Sequence, residues 1–135
     1  MEASRTSALR RTGALRVLVV EDSVLLAERL QEVLGQIAGV EVVGTVVDEG
    51  TAVAMAREGD IHVLILDLQL RHGTGFGVLR ALGEDRPSVI VFTNYALPEY
   101  RRRAEQLGVE YFLNKSLEFE RLPEVIKTLA EERHS

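Results

Sequence analysis

The sequence has no cysteine, which excludes a disulfide framework, a thiol nucleophile and a cysteine metal site. Its three histidines, His62, His72 and His134, are scattered without metal-ligand spacing. No apolar run approaches the roughly 18 residues a membrane span needs, and the N-terminus lacks an apolar signal core. A cytoplasmic protein with no membrane insertion is therefore expected. Positive charge is also in short supply: the formal net charge is −5, so nucleic acid is not an obvious partner and no direct DNA binding is expected. Proline is sparse, and each of the three, Pro87, Pro98 and Pro123, falls where a helix stops or starts. What remains is 135 residues, 46% hydrophobic and 27% charged, ordinary values for one globular domain with a proper core.

Residues 1–15 are mostly polar, with Arg5, Arg10 and Arg11, and read as a flexible N-terminal tail ahead of a domain over 16–132. From there apolar runs alternate with amphipathic stretches. Residues 16–20 are a β-branched strand. Ser23 then caps a helix in which Leu26, Ala27, Leu30, Val33, Leu34 and Ile37 share one stripe. A strand over 40–46 leads into a short Ala-rich helix over 48–58, closed by Gly59. Residues 63–66 are four unbroken apolar residues running into Asp67, the pattern of a strand buried on both faces. A helix with Phe76, Val78, Leu79 and Leu82 follows, then a strand over 89–92. The next helix has Leu97, Tyr100, Ala104 and Leu107 on one face, with Arg101, Arg102 and Arg103 expected to lie in solvent. A fifth strand over 109–113 precedes a last helix that buries Phe119, Leu122, Val125, Ile126 and Leu129. Strict alternation of this kind predicts an α/β domain: a doubly wound, five-stranded parallel sheet with right-handed crossovers.

The chemistry lies at the carboxyl ends of the strands, the edge where open α/β sheets bind ligands. Strand one ends in Glu21 and Asp22, strand three in Asp67, strand four in Thr93 and strand five at Lys115. Taken singly, each reads equally well as loop charge or a strand terminus. Together they bring three carboxylates close, which repel unless a cation joins them. Oxygen-only donors suit Mg²⁺, with Mn²⁺ as a substitute. A hydroxyl and an ammonium beside them suit a phosphoryl group. Asp67, at the centre, is placed as a carboxylate nucleophile.

Four motifs carry a family resemblance: Val19-Val20-Glu21-Asp22-Ser23; Leu64 to Leu70 with Gly75; Val91-Phe92-Thr93; and Gly108 to Lys115. In this order and spacing the chain resembles the receiver domain of bacterial response regulators. The resemblance implies a flavodoxin-like fold with strand order 2-1-3-4-5. It implies Asp67 as phosphoacceptor, Asp22 as a direct Mg²⁺ ligand with Glu21 helping through water, and the backbone carbonyl of Gln69 as a further ligand. Thr93 and Lys115 would hold the phosphoryl oxygens, and Phe112 matches an aromatic that turns inward as Thr93 moves. Gln69 and Tyr95 flank the approach of water to the phosphate and are expected to set its lifetime. The implied donor is a sensor histidine kinase or a histidine phosphotransfer protein. The implied output is an unknown downstream protein target, reached through the surface of the fourth helix, fifth strand and fifth helix. The chain ends soon after the last helix, so a stand-alone, non-enzymatic receiver in a two-component or phosphorelay pathway is expected.

Some positions depart from the family pattern. Ser116 follows Lys115 where proline with a cis bond is common, so a trans bond or a rearranged loop is expected. Arg71 also stands where proline is common, and Asn94 follows Thr93 where a small residue is usual. Three other functions compete. A haloacid-dehalogenase-type phosphatase also uses Asp, Thr, Lys and Mg²⁺, but places Asp-x-Asp where this chain has Asp67-Leu68-Gln69. A nucleotide-binding module would need a glycine fingerprint after Val20. A pseudo-receiver that binds partners without phosphorylation is disfavoured by the complete acid set.

Overall fold

The computed structural model describes residues 13–134. Five strands alternate with five helices: β1 (Leu15–Val20), α1 (Val24–Gly35), β2 (Val40–Val46), α2 (Glu49–Glu58), β3 (Val63–Leu66), α3 (Gly75–Leu82), β4 (Ser88–Thr93), α4 (Pro98–Gln106), β5 (Tyr111–Asn114) and α5 (Arg121–His134). All strand pairs are parallel, in the order β2-β1-β3-β4-β5. No helix among the described residues is long and apolar enough to cross a membrane.

Thr93 apart, the three central strands are apolar at every buried position, because both faces of the sheet are covered. Successive side chains point to opposite sides. Leu18, Val20, Leu64, Leu66, Val89 and Val91 meet Ala52 of α2, Val78 and Leu79 of α3 and Ala104 of α4. Val17, Val19, Val63, Ile65, Ile90 and Phe92 meet Leu30 and Leu34 of α1 and Leu122 and Ile126 of α5. The helices start where capping side chains stand. The N–H groups of Leu26, Thr51 and Gly77 donate to Ser23, Asp48 and Thr74. Helix α4 has no such cap and begins with Pro98 in its first turn.

Three departures from the expected boundaries have a clear physical reason. Leu15 is a buried strand residue and not part of a tail, because its N–H reaches the Gly39 carbonyl at 2.7 Å; residues 1–12 of the expected tail lie outside the described residues. Strand β5 begins at Tyr111, two residues late, because the Val109 N–H is spent on the Ala104 carbonyl at the end of α4. Phe119 precedes α5, where it stacks near Phe92 at 5.9 Å between ring centroids.

At the edge of the sheet opposite the strand carboxyl ends, His62 locks β1 to the start of β3. Its Nδ1 accepts from the Arg16 backbone N–H at 2.9 Å, and the His62 backbone N–H donates to the Arg16 carbonyl at 2.9 Å. Burial, then the nearby Arg133 charge, hold the His62 imidazole below its ordinary value. The unfolded chain therefore binds more protons than the folded one just below pH about 6.5, the usual histidine value, and stability rises with pH across that window. His62→Gln should remove that part of the pH dependence. The check is the urea midpoint of parent and variant at pH 5 and 7.5. Parallel midpoint curves would show that His62 does not titrate against folding.

Candidate functional site

The parallel register brings four strand ends together. β1 delivers Glu21 and Asp22, with the Glu21 N–H donating to Val46 O at 2.8 Å. β3 delivers Asp67, whose N–H donates to Val20 O at 3.1 Å. The Lys115 N–H donates to Thr93 O at 3.0 Å, which fixes the exit of β5 against β4. A cavity of about 520 Å³ opens there, lined by Glu21, Asp22, Ser23, Asp67, Gln69, Asn94, Tyr95 and Lys115. A larger apolar groove of about 850 Å³ between α1 and α5 contains none of this chemistry.

Glu21 and Asp67 are buried, and a cation reaches both. Lys115 Nζ lies 2.5 Å from Glu21 Oε1 and 2.7 Å from Asp67 Oδ2. The second Glu21 oxygen accepts from the Ser23 N–H at 2.9 Å, and Asp67 Oδ1 faces the Gln69 N–H at 3.4 Å. Burial pushes the Glu21 carboxyl above its ordinary value, and hydrogen bonds from Lys115 and Ser23 offset only part of this. For Lys115 burial acts downward, but the bonds to Asp67 and Glu21 outweigh it and hold the ammonium above its ordinary value.

The donor set fits a divalent cation. One oxygen from each of Glu21, Asp22 and Asp67 lies within 4.8 Å of the others, and all are hard oxygen donors of the kind Mg²⁺ and Mn²⁺ prefer. Asp22 is only half-buried.

Thr93 and Phe112 stand behind this cavity. Thr93 is fully buried at the end of β4, and its hydroxyl oxygen accepts from the Tyr95 N–H at 3.1 Å. Phe112 is already buried in this structure. The Arg101 guanidinium lies 4.5 Å from its ring centroid and donates to its carbonyl at 3.0 Å. The expected inward turn of Phe112 therefore has little exposure left to remove. The arginine run is not uniformly solvated either. Arg101 packs on Phe112 and Arg103 on Phe76, at 4.4 Å from the ring centroid.

Other contacts were invisible in the sequence. Glu49, at the start of α2, accepts from the Thr74 N–H at 3.0 Å, and its own N–H donates to His72 O at 3.0 Å. It thereby ties down the loop after Asp67, and Gly73 and Gly77 leave the space it fills. Two departures from the family pattern meet each other: the Ser116 hydroxyl donates to Asn94 Oδ1 at 3.0 Å. They join the loops after β4 and β5 beside the cavity. The bond before Ser116 is trans.

Known proteins resemble this chain in sequence and in fold. A family model described as the response regulator receiver domain matches residues 17–127. The chain is 38% identical over 116 residues to protein-glutamate methylesterase/protein-glutamine glutaminase 5 of Myxococcus xanthus (strain DK1622), a match covering 82% of this chain and 33% of that protein. It is 32% identical over 104 residues to the protein-glutamate methylesterase/protein-glutamine glutaminase of Methylobacillus flagellatus (strain ATCC 51484 / DSM 6875 / VKM B-1610 / KT), covering 75% of this chain and 29% of that one. The chain thus spans about a third of the length of these relatives. Among solved structures, the response regulator domain of Thermotoga maritima CheB superposes with a TM-score of 0.77 at 22% identity, covering 90% of this chain and 96% of that one. The non-phosphorylated receiver domain of RcsB from Escherichia coli gives 0.78 at 24% identity, covering 88% and 95%. At these identities the structures speak for the fold alone.

Proposed function

The chain belongs to the response regulator receiver domain family, and on that premise we propose that Asp67 accepts a phosphoryl group from a phosphohistidine and so switches a signalling surface. One observation carries the residue assignment. Asp67 is a buried carboxylate at a strand end, with Lys115 Nζ at 2.7 Å and two further carboxylates beside it. The domain reading covers residues 16–132.

In the reaction an Asp67 oxygen forms a bond to phosphorus as the P–N bond of the donor breaks. The bonding pair leaves with the imidazole nitrogen, which takes a proton from solvent, and Asp67 becomes an acyl phosphate. Lys115 neutralises charge on the phosphoryl oxygens from its position between Glu21 and Asp67. Thr93 has a hydroxyl hydrogen to donate once its oxygen is drawn toward the phosphate. Asp22, Glu21, Asp67 and the Gln69 carbonyl would hold Mg²⁺ or Mn²⁺, which when bound supplies positive charge to the transferring group. The donor is a sensor histidine kinase or histidine phosphotransfer protein. The output runs through α4, β5 and α5 to a protein target, in a two-component or phosphorelay pathway in the cytoplasm. The methylesterase relatives favour a chemotaxis setting. No catalytic turnover of another substrate is assigned to the chain.

The test is intact mass after incubation with a small phosphodonor: one base-labile phosphate in Mg²⁺ and none in chelator. Asp22→Ala should lose metal affinity and phosphate uptake together, while its melting temperature without metal rises as carboxylate repulsion is relieved. Equal uptake in Mg²⁺ and in chelator would count against the site. Phosphate lifetime is a separate matter. Exposed Tyr95 lines the cavity and shields the in-line position from water, so Tyr95→Ala should hasten phosphate loss, and Gln69→Ala should change it less. Decay no faster in Tyr95→Ala than in the parent would remove this role.

A further inference from the structure

A second cavity, of about 470 Å³, lies between α3 and α4, lined by Leu68, Gln69, Thr74, Phe76, Arg80, Tyr95, Tyr100 and Arg103. Two arginines line it and no acid does, in a chain of net charge −5. Among the described residues neither Arg80 nor Arg103 makes an ion pair. The floor is aromatic, with Phe76 and Tyr100 at 6.3 Å between ring centroids. Arg103 lies on the Phe76 face, which limits its rotamers while leaving its N–H edge open. A guanidinium held this way suits bidentate recognition of a carboxylate, and less freedom is lost when it binds.

We propose that this groove binds an acidic peptide segment of a partner protein: carboxylates on Arg80 and Arg103, an aliphatic or aromatic side chain on the Phe76–Tyr100 floor. The charge complementarity selects the acid, and the open groove between two helices, with the exposed Gln69 side chain and the Thr74 hydroxyl hydrogen left to meet a peptide backbone, suits a passing chain. The inference rests on the receiver reading in one respect: α4 is shared with the output surface, and the groove extends that surface toward α3 for a target with an acidic segment. Gln69 and Tyr95 line both this groove and the acidic cavity, so an occupant touching Tyr95 acts on the wall that faces the phosphorylated carboxylate.

The test pans a library of random short peptides over the immobilised full chain, then titrates the most enriched peptide in solution. Enrichment of acidic peptides with an adjacent apolar residue is expected, with amide shifts over residues 68–80 and 95–103. Arg80→Glu/Arg103→Glu should weaken binding by about tenfold or more. The charge-matched control Arg29→Glu/Arg57→Glu, on α1 and α2 outside the groove, should weaken it by less than about twofold. No enrichment, enrichment of non-acidic peptides, or equal loss in the two double variants would overturn the proposal. Phosphate uptake is measured on the same samples. A parent that takes phosphate but no peptide refutes the groove, and one that binds peptide but takes no phosphate refutes the receiver reading.

Discussion

Asp67→Asn protein is expected to take up no phosphate under conditions that label the parent to one phosphate per chain. The exchange keeps the size of the side chain and its ability to accept from Lys115, which now lies 2.7 Å from Oδ2. It removes the negative charge that makes this oxygen a nucleophile. It also removes one of three clustered acids, so divalent cation binding should weaken without vanishing, since Asp22 and Glu21 remain. Folding should be unharmed, and without metal the melting temperature should rise slightly as repulsion falls. Intact mass and tandem mass mapping read the first effect, and a metal titration the second. Stoichiometric labelling of the variant at another residue would end the assignment of Asp67.

The second large effect is on the backbone that presents Asp67. A Cβ added at Gly75 would collide with the Asp67 carbonyl oxygen and lie 3.0 Å from Leu68 Cα and 3.1 Å from the Asp67 carbonyl carbon. All three are main-chain atoms and cannot swing aside as a side-chain tip can. The Gly75 N–H also donates to Leu68 O at 2.9 Å, so α3 is pinned against the end of β3. Gly75→Ala should therefore cost about 1–3 kcal/mol of stability, the range of overpacked sites, and lower phosphate uptake by displacing the acceptor's own peptide. Gly35→Ala is the control: nothing lies within 4 Å of its added Cβ, and at the last residue of α1 the exchange should not lower stability. Urea midpoints that fall equally in both variants, or in neither, would show that the close approach at Gly75 is relieved elsewhere.

The sequence by itself determined which segments are strands and helices, and where the chemistry lies along them. Local side-chain patterns suffice for that. Residues 63–66 are apolar throughout because both faces of β3 are covered, and Ser23, Asp48 and Thr74 cap helices within three residues of themselves. A parallel sheet follows from the alternation, and its carboxyl edge collects Glu21, Asp22, Asp67 and Lys115. Other features rest on contacts between residues far apart in the chain, which no local pattern encodes. Lys115 and Asp67 are 48 residues apart and Asn94 and Ser116 are 22 apart. That Lys115 bridges Asp67 to Glu21, that Arg101 covers Phe112, and that Glu49 holds the loop after Asp67 was decided by tertiary structure. The start of β5 belongs with these, because the Val109 N–H is taken by the Ala104 carbonyl at the end of α4. The α3–α4 groove is the plainest case. Arg103 reads along the chain as solvated helix charge, and only the packing of the two helices over Phe76 and Tyr100 places it with Arg80 around one cavity.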